Sequence, residues 1–173
     1  MSFERIVQET PMDISLKIIA KELDKRNNQV LKYQRLYEDV LNPIKGKESD
    51  MCFDIFAYSD PIVENSYIEY KTGLRFEIPE GYDMLIFPRS SISKYDLVLC
   101  NSIGVVDQDY RGEVLCRFKL TQWNKECLPN LYKRGDRIVQ ARIIPKTEVK
   151  LQEESYISTN TIRGQGGFGS TGK

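Results

Sequence analysis

The spacing of hydrophobic residues changes character near residue 50. Before that point, Met12 to Ile19 alternates loosely between apolar and polar positions, which predicts a first strand. Over residues 20–42, apolar residues recur at intervals of three and four with charges between them, which predicts an amphipathic helix ending near Pro43. The apolar positions of this helix are Val30, Tyr33, Tyr37, Val40 and Leu41.

From Met51 onward, short runs rich in Ile, Val, Tyr and Phe are separated by turn sequences such as "SDP", "PEGYD" and "KRGD". Short strands at even spacing favour an all-β sandwich, barrel or jelly roll. We expect the last strand at Thr147 to Leu151, followed by a flexible Gly-rich arm over residues 160–173. The chain is then a single domain, 1–173, with a helical insertion at 20–48.

Charge and hydropathy exclude several classes of partner. The 25 basic and 25 acidic residues cancel, so we expect no nucleic-acid partner. No apolar run is long enough for a membrane span, and the N-terminus does not have the pattern of a signal peptide. We therefore expect a cytoplasmic or other intracellular protein with no membrane contact.

The chain contains no His, which removes Ser-His-Asp and Cys-His catalysis and leaves a carboxylate, Lys, Tyr or Cys as a possible base. A zinc site would need thiolates or carboxylates alone, and no C-x-x-C pair is present. Buried free thiols are the preferred interpretation of the four cysteines, which are Cys52, Cys100, Cys116 and Cys127.

The C-terminal sequence "GGFGSTGK" matches the pattern of a phosphate-binding P-loop. That loop works between a buried strand and a helix, with a Ser or Thr after the Lys. Here the preceding residues are polar and nothing follows the Lys, so the P-loop interpretation fails. The remaining alternatives are a disordered tail and a strap that closes over a ligand with Arg163 and Phe168.

Two windows place polar side chains beside predicted strands. "LVLCNSIGVVDQDYRGEVLCRF" predicts a hairpin with Asp107 and Tyr110 near its tip, or else an ordinary turn built by Asp107 and Asp109. "FPRSSIS" places Arg89 and two hydroxyls after a strand, where they suit either phosphate oxygens or a helix cap.

Two more windows carry isolated polar side chains. "CFDIFAYSD" holds Asp54 between apolar neighbours, where a carboxylate needs a partner. "KRGDRIVQARI" is a tight turn into a strand, with Gln140 as the uncharged polar residue of an apolar run. In chain order these windows and the tail resemble the five motifs of the trimeric dUTP pyrophosphatases, or dUTPases. The motifs are "FDIFAYSD", "PRSS", "NSIGVVDQDYRGE", "RGDRIVQ" and "RGQGGFGSTG".

The resemblance implies an all-β fold, a distorted jelly roll of the β-clip type, with a mobile Gly-rich C-terminal arm. It also implies a homotrimer with shared active sites. The implied activity is hydrolysis of dUTP to dUMP and pyrophosphate with Mg²⁺, which keeps uracil out of DNA and supplies dUMP for dTMP synthesis. Two features depart from the family pattern: Cys52 stands where a Gly is usual, and the helical insertion, whose protein partner is unknown, is unusually long.

The resemblance assigns a role to each motif residue. Asp107 would be the general base for the attacking water. Tyr110 would lie against the deoxyribose and exclude a 2′-hydroxyl. The residues that would read uracil, through backbone or side chain, are Asn101, Gly104 and Val106.

The other motifs would handle the triphosphate. Asp54 would act in catalysis by holding water ligands of Mg²⁺, without direct contact to the metal. Phe168 of the arm would stack over uracil. The residues that would contact the phosphates are Arg89, Ser90, Ser91, Gln140, Arg163, Gly169, Ser170 and Thr171.

Three alternatives remain open. A dCTP deaminase shares this fold and an Arg-Ser-Ser stretch, but it uses a Glu on the strand after the hairpin, where this chain has Cys116 and Arg117. A bifunctional enzyme is a variant of that hypothesis. A dUTP-binding regulator would signal through the helical insertion.

Overall fold

The computed structural model describes residues 12, 15–21, 29–121 and 130–166. These residues form ten strands and a 3₁₀ helix at Ser90–Lys94. The strands are β1 Lys32–Arg35, β2 Phe53–Phe56, β3 Ile62–Val63, β4 Ile68–Lys71, β5 Leu74–Glu77, β6 Tyr82–Pro88, β7 Leu97–Leu99, β8 Gly104–Val106, β9 Leu115–Leu120 and β10 Arg137–Pro145.

Two four-stranded sheets form the body of the domain, in the orders β2-β10-β6-β8 and β3-β4-β9-β7, and β1 pairs with β5 in a separate two-stranded sheet. All pairings are antiparallel. Buried side chains come from both large sheets, among them Met84 and Val139 from the first and Tyr70 and Phe118 from the second. The all-β prediction is confirmed. Among the described residues, no helix has the length and apolar character needed to cross a bilayer.

The N-terminal prediction is wrong for its strand and for the later part of its helix. Residues 15–19, expected to be a strand, are helical and exposed. Residues 20 and 21, where the predicted helix begins, are helical too, and residues 22–28 of that prediction lie outside the described residues. Residues 32–35, expected to be helical, form strand β1. Cross-strand partners on β5 decide this, because Lys32 pairs with Glu77 at 2.6 Å and Gln34 accepts two hydrogen bonds from Arg75. No helix therefore spans 20–48 where the structure describes it.

The residues assigned to the apolar face of that helix are not buried together. Val40 is buried, whereas Val30 and Tyr33 are exposed. Val40 lies in a loop beside Gly73, where a Cβ would clash with the Val40 side chain and where φ is 67°, a conformation that favours glycine. The intervals of three and four between these apolar residues therefore belong to a strand followed by a loop, and they do not reflect a helical period.

The strand expected at Thr147 to Leu151 is also not formed. Strand β10 ends at Pro145, and the chain beyond it is irregular, with Val149 and Leu151 exposed. A run of alternating residues needs a neighbouring strand to pair with, and within one chain none of the described strands reaches this segment.

The buried-thiol prediction is confirmed for one cysteine. Burial raises the pKa of the Cys116 thiol to about 12, so it stays protonated. Cys52 is half-buried and Cys100 is exposed, so the prediction is wrong for Cys100. Cys127 lies outside the described residues.

Candidate active site

Three of the five motifs meet on adjacent strands of the β2-β10-β6-β8 sheet. Gln140 on β10 lies opposite Asp54 on β2 and opposite Phe87 on β6. Residues directly opposite in an antiparallel pair project to the same face, so Asp54 and Gln140 share a surface. The amide of Gln140 donates to the Pro88 carbonyl at 3.0 Å, which ties β10 to the start of the second motif.

Two guanidinium groups hold the Asp54 carboxylate. Arg89 Nε donates to Oδ1 at 2.7 Å, and Arg137 Nη1 donates to Oδ2 at 3.1 Å. The Asp54 side chain is only 13% exposed, so this pairing satisfies the need for a partner that its apolar surroundings imply. Two cations and one anion leave the cluster with a net positive charge, which suits a phosphate ligand.

The spacing of residues along the sequence does not indicate that Arg137 belongs to the site. In a regular strand, Arg137 would project to the same face as Val139, which is fully buried. A β-bulge between Arg137 and Val139 shifts the register against β2, so that Ile138 and Val139 both enter the core. Arg137 is thereby brought to the face of Asp54, and a bulge of this kind leaves no signal in the hydrophobic pattern.

Arg89 also organises the second motif. Its Nη1 donates to Ser91 Oγ at 3.1 Å, while Nε is used by Asp54. Two of the five guanidinium N–H groups are therefore occupied, and the others remain to meet a ligand. Ser90 opens the 3₁₀ helix and accepts a hydrogen bond from Ser93 Oγ through its carbonyl. Arg89 occupies the N-cap position without a side-chain cap bond, so the helix-cap interpretation of this stretch has no support.

The third motif differs from the expected simple hairpin. Strand β7 pairs with β9, as a hairpin requires, but β8 leaves that sheet and pairs with β6 in the other. The chain is redirected after Leu99 by a tight turn in which Ser102 has a φ of 59° and donates its N–H to the Leu99 carbonyl. Residues 100–114 therefore link the two sheets.

Packing fixes the candidate uracil and sugar residues in this segment. A side chain at Gly104 would meet Ile86 Cβ at 3.2 Å and the Asn101 amide at 3.5 Å, so glycine allows β8 to lie close to β6. Val106 follows on β8, opposite Met84. The Tyr110 ring covers Gly112, and its hydroxyl donates to the Glu113 carbonyl at 3.0 Å, which fixes an otherwise half-exposed ring.

Asp107 begins the turn at the tip of the third motif, and its carbonyl accepts the N–H of Tyr110 at 3.1 Å. Glu113, on the far side of this loop, accepts the Gly73 N–H at 2.7 Å and so anchors the loop to the β4–β5 connection. The outward residues of β9 include Arg117 and Lys119, and no Glu lies on that strand. The arrangement required for a deaminase of the related type is therefore missing from β9.

One chain does not bring Asp107 and Arg89 together. Strand β8 runs antiparallel to β6, with Val106 opposite Met84, so Asp107 lies beside the start of β6 while Arg89 follows its end. The six residue-to-residue steps from Asp83 to Arg89 span roughly 20 Å at the usual rise of a strand. The phosphate cluster of one chain and the candidate base of the same chain are thus separate.

The described part of the arm makes local contacts. Arg163 Nε donates to the Gly166 carbonyl at 3.0 Å, and Gly164 N donates to Thr161 Oγ1 at 2.9 Å in a compact turn. These bonds do not connect Arg163 with the Asp54 cluster. The remaining arm residues of the prediction lie outside the described residues, and these are Phe168, Gly169, Ser170 and Thr171.

The donor set around Asp54 bears on whether a divalent cation can bind directly. Within the described ranges, no three His, Cys, Asp or Glu side chains are grouped as metal ligands. Each Asp54 oxygen already accepts from a guanidinium, but a carboxylate oxygen has a second lone pair. The site therefore fits a metal held through water and a nucleotide, and it does not fit direct ligation by a protein cage.

Comparison with known proteins identifies the family. The family model described as dUTPase matches residues 39–172. The chain belongs to the dUTPase family. Among curated dUTPases, the deoxyuridine 5′-triphosphate nucleotidohydrolase of Nautilia profundicola is 37% identical over 83% of this chain and 99% of the relative. That of Hydrogenobaculum sp. is 35% identical over 80% of this chain and 95% of the relative.

Solved dUTPase structures share the fold. The dUTPase of Staphylococcus bacteriophage 80alpha with dUPNHPP superposes with a TM-score of 0.71 at 25% identity, covering 84% of this chain and all of that chain. The D-to-N variant of the phage phi11 dUTPase from S. aureus, solved with a structural Mg(II) ion, gives a TM-score of 0.64 at 22% identity over 74% of this chain. The second likeness concerns the fold alone.

Proposed function

We propose that the protein is a dUTP diphosphatase that hydrolyses dUTP to dUMP and pyrophosphate, as its curated relatives are named for dUTP hydrolysis. The observation that carries the proposal is the cluster on the open face of the first sheet. There Asp54 is ion-paired to Arg89 and Arg137, beside Gln140 and Ser91. A fixed, net positive group with unused N–H donors is suited to a triphosphate.

The nucleoside end is supported by the third motif. Uracil is recognised by hydrogen bonds from the Asn101 side chain and from the backbone at Gly104 and Val106. The pattern of donors and acceptors on the uracil edge differs from that of cytosine. A mismatch leaves buried groups unpaired at about 1–3 kcal/mol each, which disfavours dCTP. The fixed ring of Tyr110 provides a flat wall for the deoxyribose and excludes a 2′-hydroxyl.

Asp107 is the proposed general base. It takes a proton from a water molecule whose oxygen attacks the α-phosphorus. The bond from the α-phosphorus to the bridging oxygen breaks, and pyrophosphate leaves with that electron pair. Its position on the attacking water is what makes it effective as a base.

Mg²⁺ fits this scheme as the counter-charge of the triphosphate. When bound with the nucleotide, it would supply Lewis-acid polarisation of phosphate oxygens. The part of this chain is to hold its water ligands through the free lone pairs of Asp54, while Arg89 and Arg137 fix the orientation of that carboxylate.

The active unit is proposed to be a homotrimer. Asp107 and Arg89 of one chain lie at opposite ends of β6, so a complete site needs a second copy. Apolar side chains that point outward from the strands, such as Val98, Val105 and Leu115, support such an assembly. The arm, with Arg163 and with Phe168, Gly169, Ser170 and Thr171, is proposed to close the site and exclude water.

The test is pyrophosphate release in the presence of Mg²⁺ from dUTP, dCTP, UTP and dTTP, offered separately. Release from dUTP alone is expected, and Asp107→Asn is expected to slow it by roughly 100-fold or more because a general base contributes at least that much. Asp109→Asn is the matched control, since it removes a carboxylate from the same turn. Equal rates for the two variants would remove Asp107 from its role, and release from dCTP or UTP would contradict the assigned specificity.

A further inference from the structure

Arg111 belongs to the third motif, and the proposed mechanism gives it no role. The residue is exposed and directly follows the turn that carries Asp107. Its Nη1 donates to the Gln108 carbonyl at 2.7 Å and to the Tyr110 carbonyl at 3.0 Å. One guanidinium nitrogen therefore ties together two carbonyl groups of the same turn.

The residues from Asp107 to Tyr110 form a β-turn. The turn is closed by the hydrogen bond from the Tyr110 N–H to the Asp107 carbonyl at 3.1 Å. This closing bond uses neither the Gln108 carbonyl nor the Tyr110 carbonyl, and Arg111 supplies a donor to both. Because hydrogen bonds from a charged donor are the stronger kind, the shape of the turn depends on Arg111 as well as on its closing bond.

The two functional side chains of this turn are held in different ways. The Tyr110 ring has an anchor of its own, since its hydroxyl donates to the Glu113 carbonyl at 3.0 Å. Glu113 in turn accepts the Gly73 N–H at 2.7 Å. Within the part of the chain that the structure describes, no other group bonds to the Asp107 carboxylate or forms an ion pair with it. The position of that carboxylate is therefore set by the backbone of the turn.

We propose that Arg111 is a positioning residue for the reaction. Its bonds to the Gln108 and Tyr110 carbonyls hold the turn in the shape that orients the Asp107 carboxylate toward the attacking water. The inference rests on the proposed role of Asp107 as the general base. Loss of Arg111 displaces Asp107 more than Tyr110, whose ring keeps its separate anchor. The expected defect is therefore in the chemical step and not in nucleotide binding.

The test compares Arg111→Gln with the wild-type protein. Single-turnover hydrolysis of dUTP with Mg²⁺ gives the rate of the chemical step. Titration with α,β-imido-dUTP gives the dissociation constant and the number of nucleotides bound per chain. The rate is expected to fall about 10-fold, because a small displacement of a reacting group costs that much or more. Both binding values and the melting temperature are expected to stay unchanged, since the two bonds of Arg111 lie at the surface.

Two further variants separate the bonds of Arg111 from its charge. Arg75→Gln loses the same charge from β5, where Arg75 bonds to the Gln34 side chain and not to the turn, so it is expected to keep the wild-type rate. Arg111→Lys keeps a cationic donor near the two carbonyls, and its rate is expected to lie between those of Arg111→Gln and the wild-type protein. Equal losses from Arg111→Gln and Arg75→Gln would trace the effect to net charge and overturn the inference.

A double-mutant cycle assigns the effect to Asp107. On an Asp107→Asn background, Arg111→Gln is expected to slow the residual reaction no further, because the base is already gone. Three results would overturn the inference and leave the proposed function intact: an unchanged rate in Arg111→Gln, a loss of the same size on both backgrounds, or a loss of rate matched by a loss of bound nucleotide. Failure of the wild-type protein to hydrolyse dUTP would overturn both.

Discussion

The Asp54 carboxylate is held by two cations, and this determines how the first motif can act. Its two oxygens are oriented by Arg89 and Arg137, and each of those guanidinium groups in turn has N–H groups left for a ligand. A carboxylate with one partner could rotate, whereas this one is fixed on both sides. The residue is therefore better understood as part of a three-residue unit than as an isolated acid.

The role of Arg137 can be measured. Arg137→Gln removes one of the two cations, so we expect weaker binding of the triphosphate, with KM for dUTP raised about 10-fold by the loss of a charge-assisted hydrogen bond. The melting temperature should change little, because the Arg137 side chain is 46% exposed.

The control for this prediction is Arg75→Gln. Arg75 lies on β5, is exposed and bonds to Gln34, so the variant loses an equivalent charge away from the site. Steady-state kinetics with dUTP gives both values. If the two variants share the KM of the wild-type protein, the phosphate role of Arg137 is wrong.

Among the secondary-structure elements, the sequence predicts those strands whose pattern is set by residues close together along the chain. The alternating runs around Asp54, Leu85 and Gln140 mark β2, β6 and β10 correctly, because one face of each is buried. Strand β1 was missed, since an exposed strand at a sheet edge has no buried face and its partners on β5 are some 40 residues away in sequence. Local spacing carries no information about such a partner.

The same limit applies to the site. The motif residues Asp54, Arg89 and Gln140 are found together as expected, because the resemblance covers their strands. The place of Arg137 in the site depends on a bulge in the pairing of β10 with β2. Such a bulge is a tertiary feature, which a pattern of hydrophobic positions does not encode.

Thr72 links the connection between β4 and β5 to Val114, the residue that follows the third motif. It is 1% exposed, and its hydroxyl donates to the Val114 carbonyl at 2.7 Å while accepting the Leu74 N–H at 3.2 Å. Thr72→Val keeps the shape but leaves both backbone groups unpaired, so we expect the free energy of unfolding to fall by about 1–3 kcal/mol.

Thermal or urea unfolding checks this prediction. Thr72→Ser is the control, because it retains the hydroxyl and loses one methyl group. Its loss of stability should be the smaller of the two. A valine variant as stable as the wild-type protein would show that the loop is anchored without Thr72, for instance by Glu113 alone, which accepts the Gly73 N–H.

For the whole molecule, the separation of Asp107 from Arg89 is the decisive geometric fact. The two residues flank opposite ends of β6, and no rearrangement short of unfolding β6 or β8 would join them in one chain. Exposed Val98 and Val105 show that strand faces are available for contact with another copy. Both observations are expected of an assembly in which each active site is formed by residues of different chains.

Shared sites can be tested by mixing two inactive variants. Asp107→Asn and Arg89→Ala, each with a different affinity tag, are co-expressed, and trimers carrying both tags are isolated. In a closed three-fold ring with a site at each interface, a mixed trimer of either composition contains one interface with an intact Arg89 and an intact Asp107. We expect about one third of the wild-type rate from such trimers. If both residues act within the same chain, every site carries a defect, and the mixed trimers will be as inactive as the parent variants.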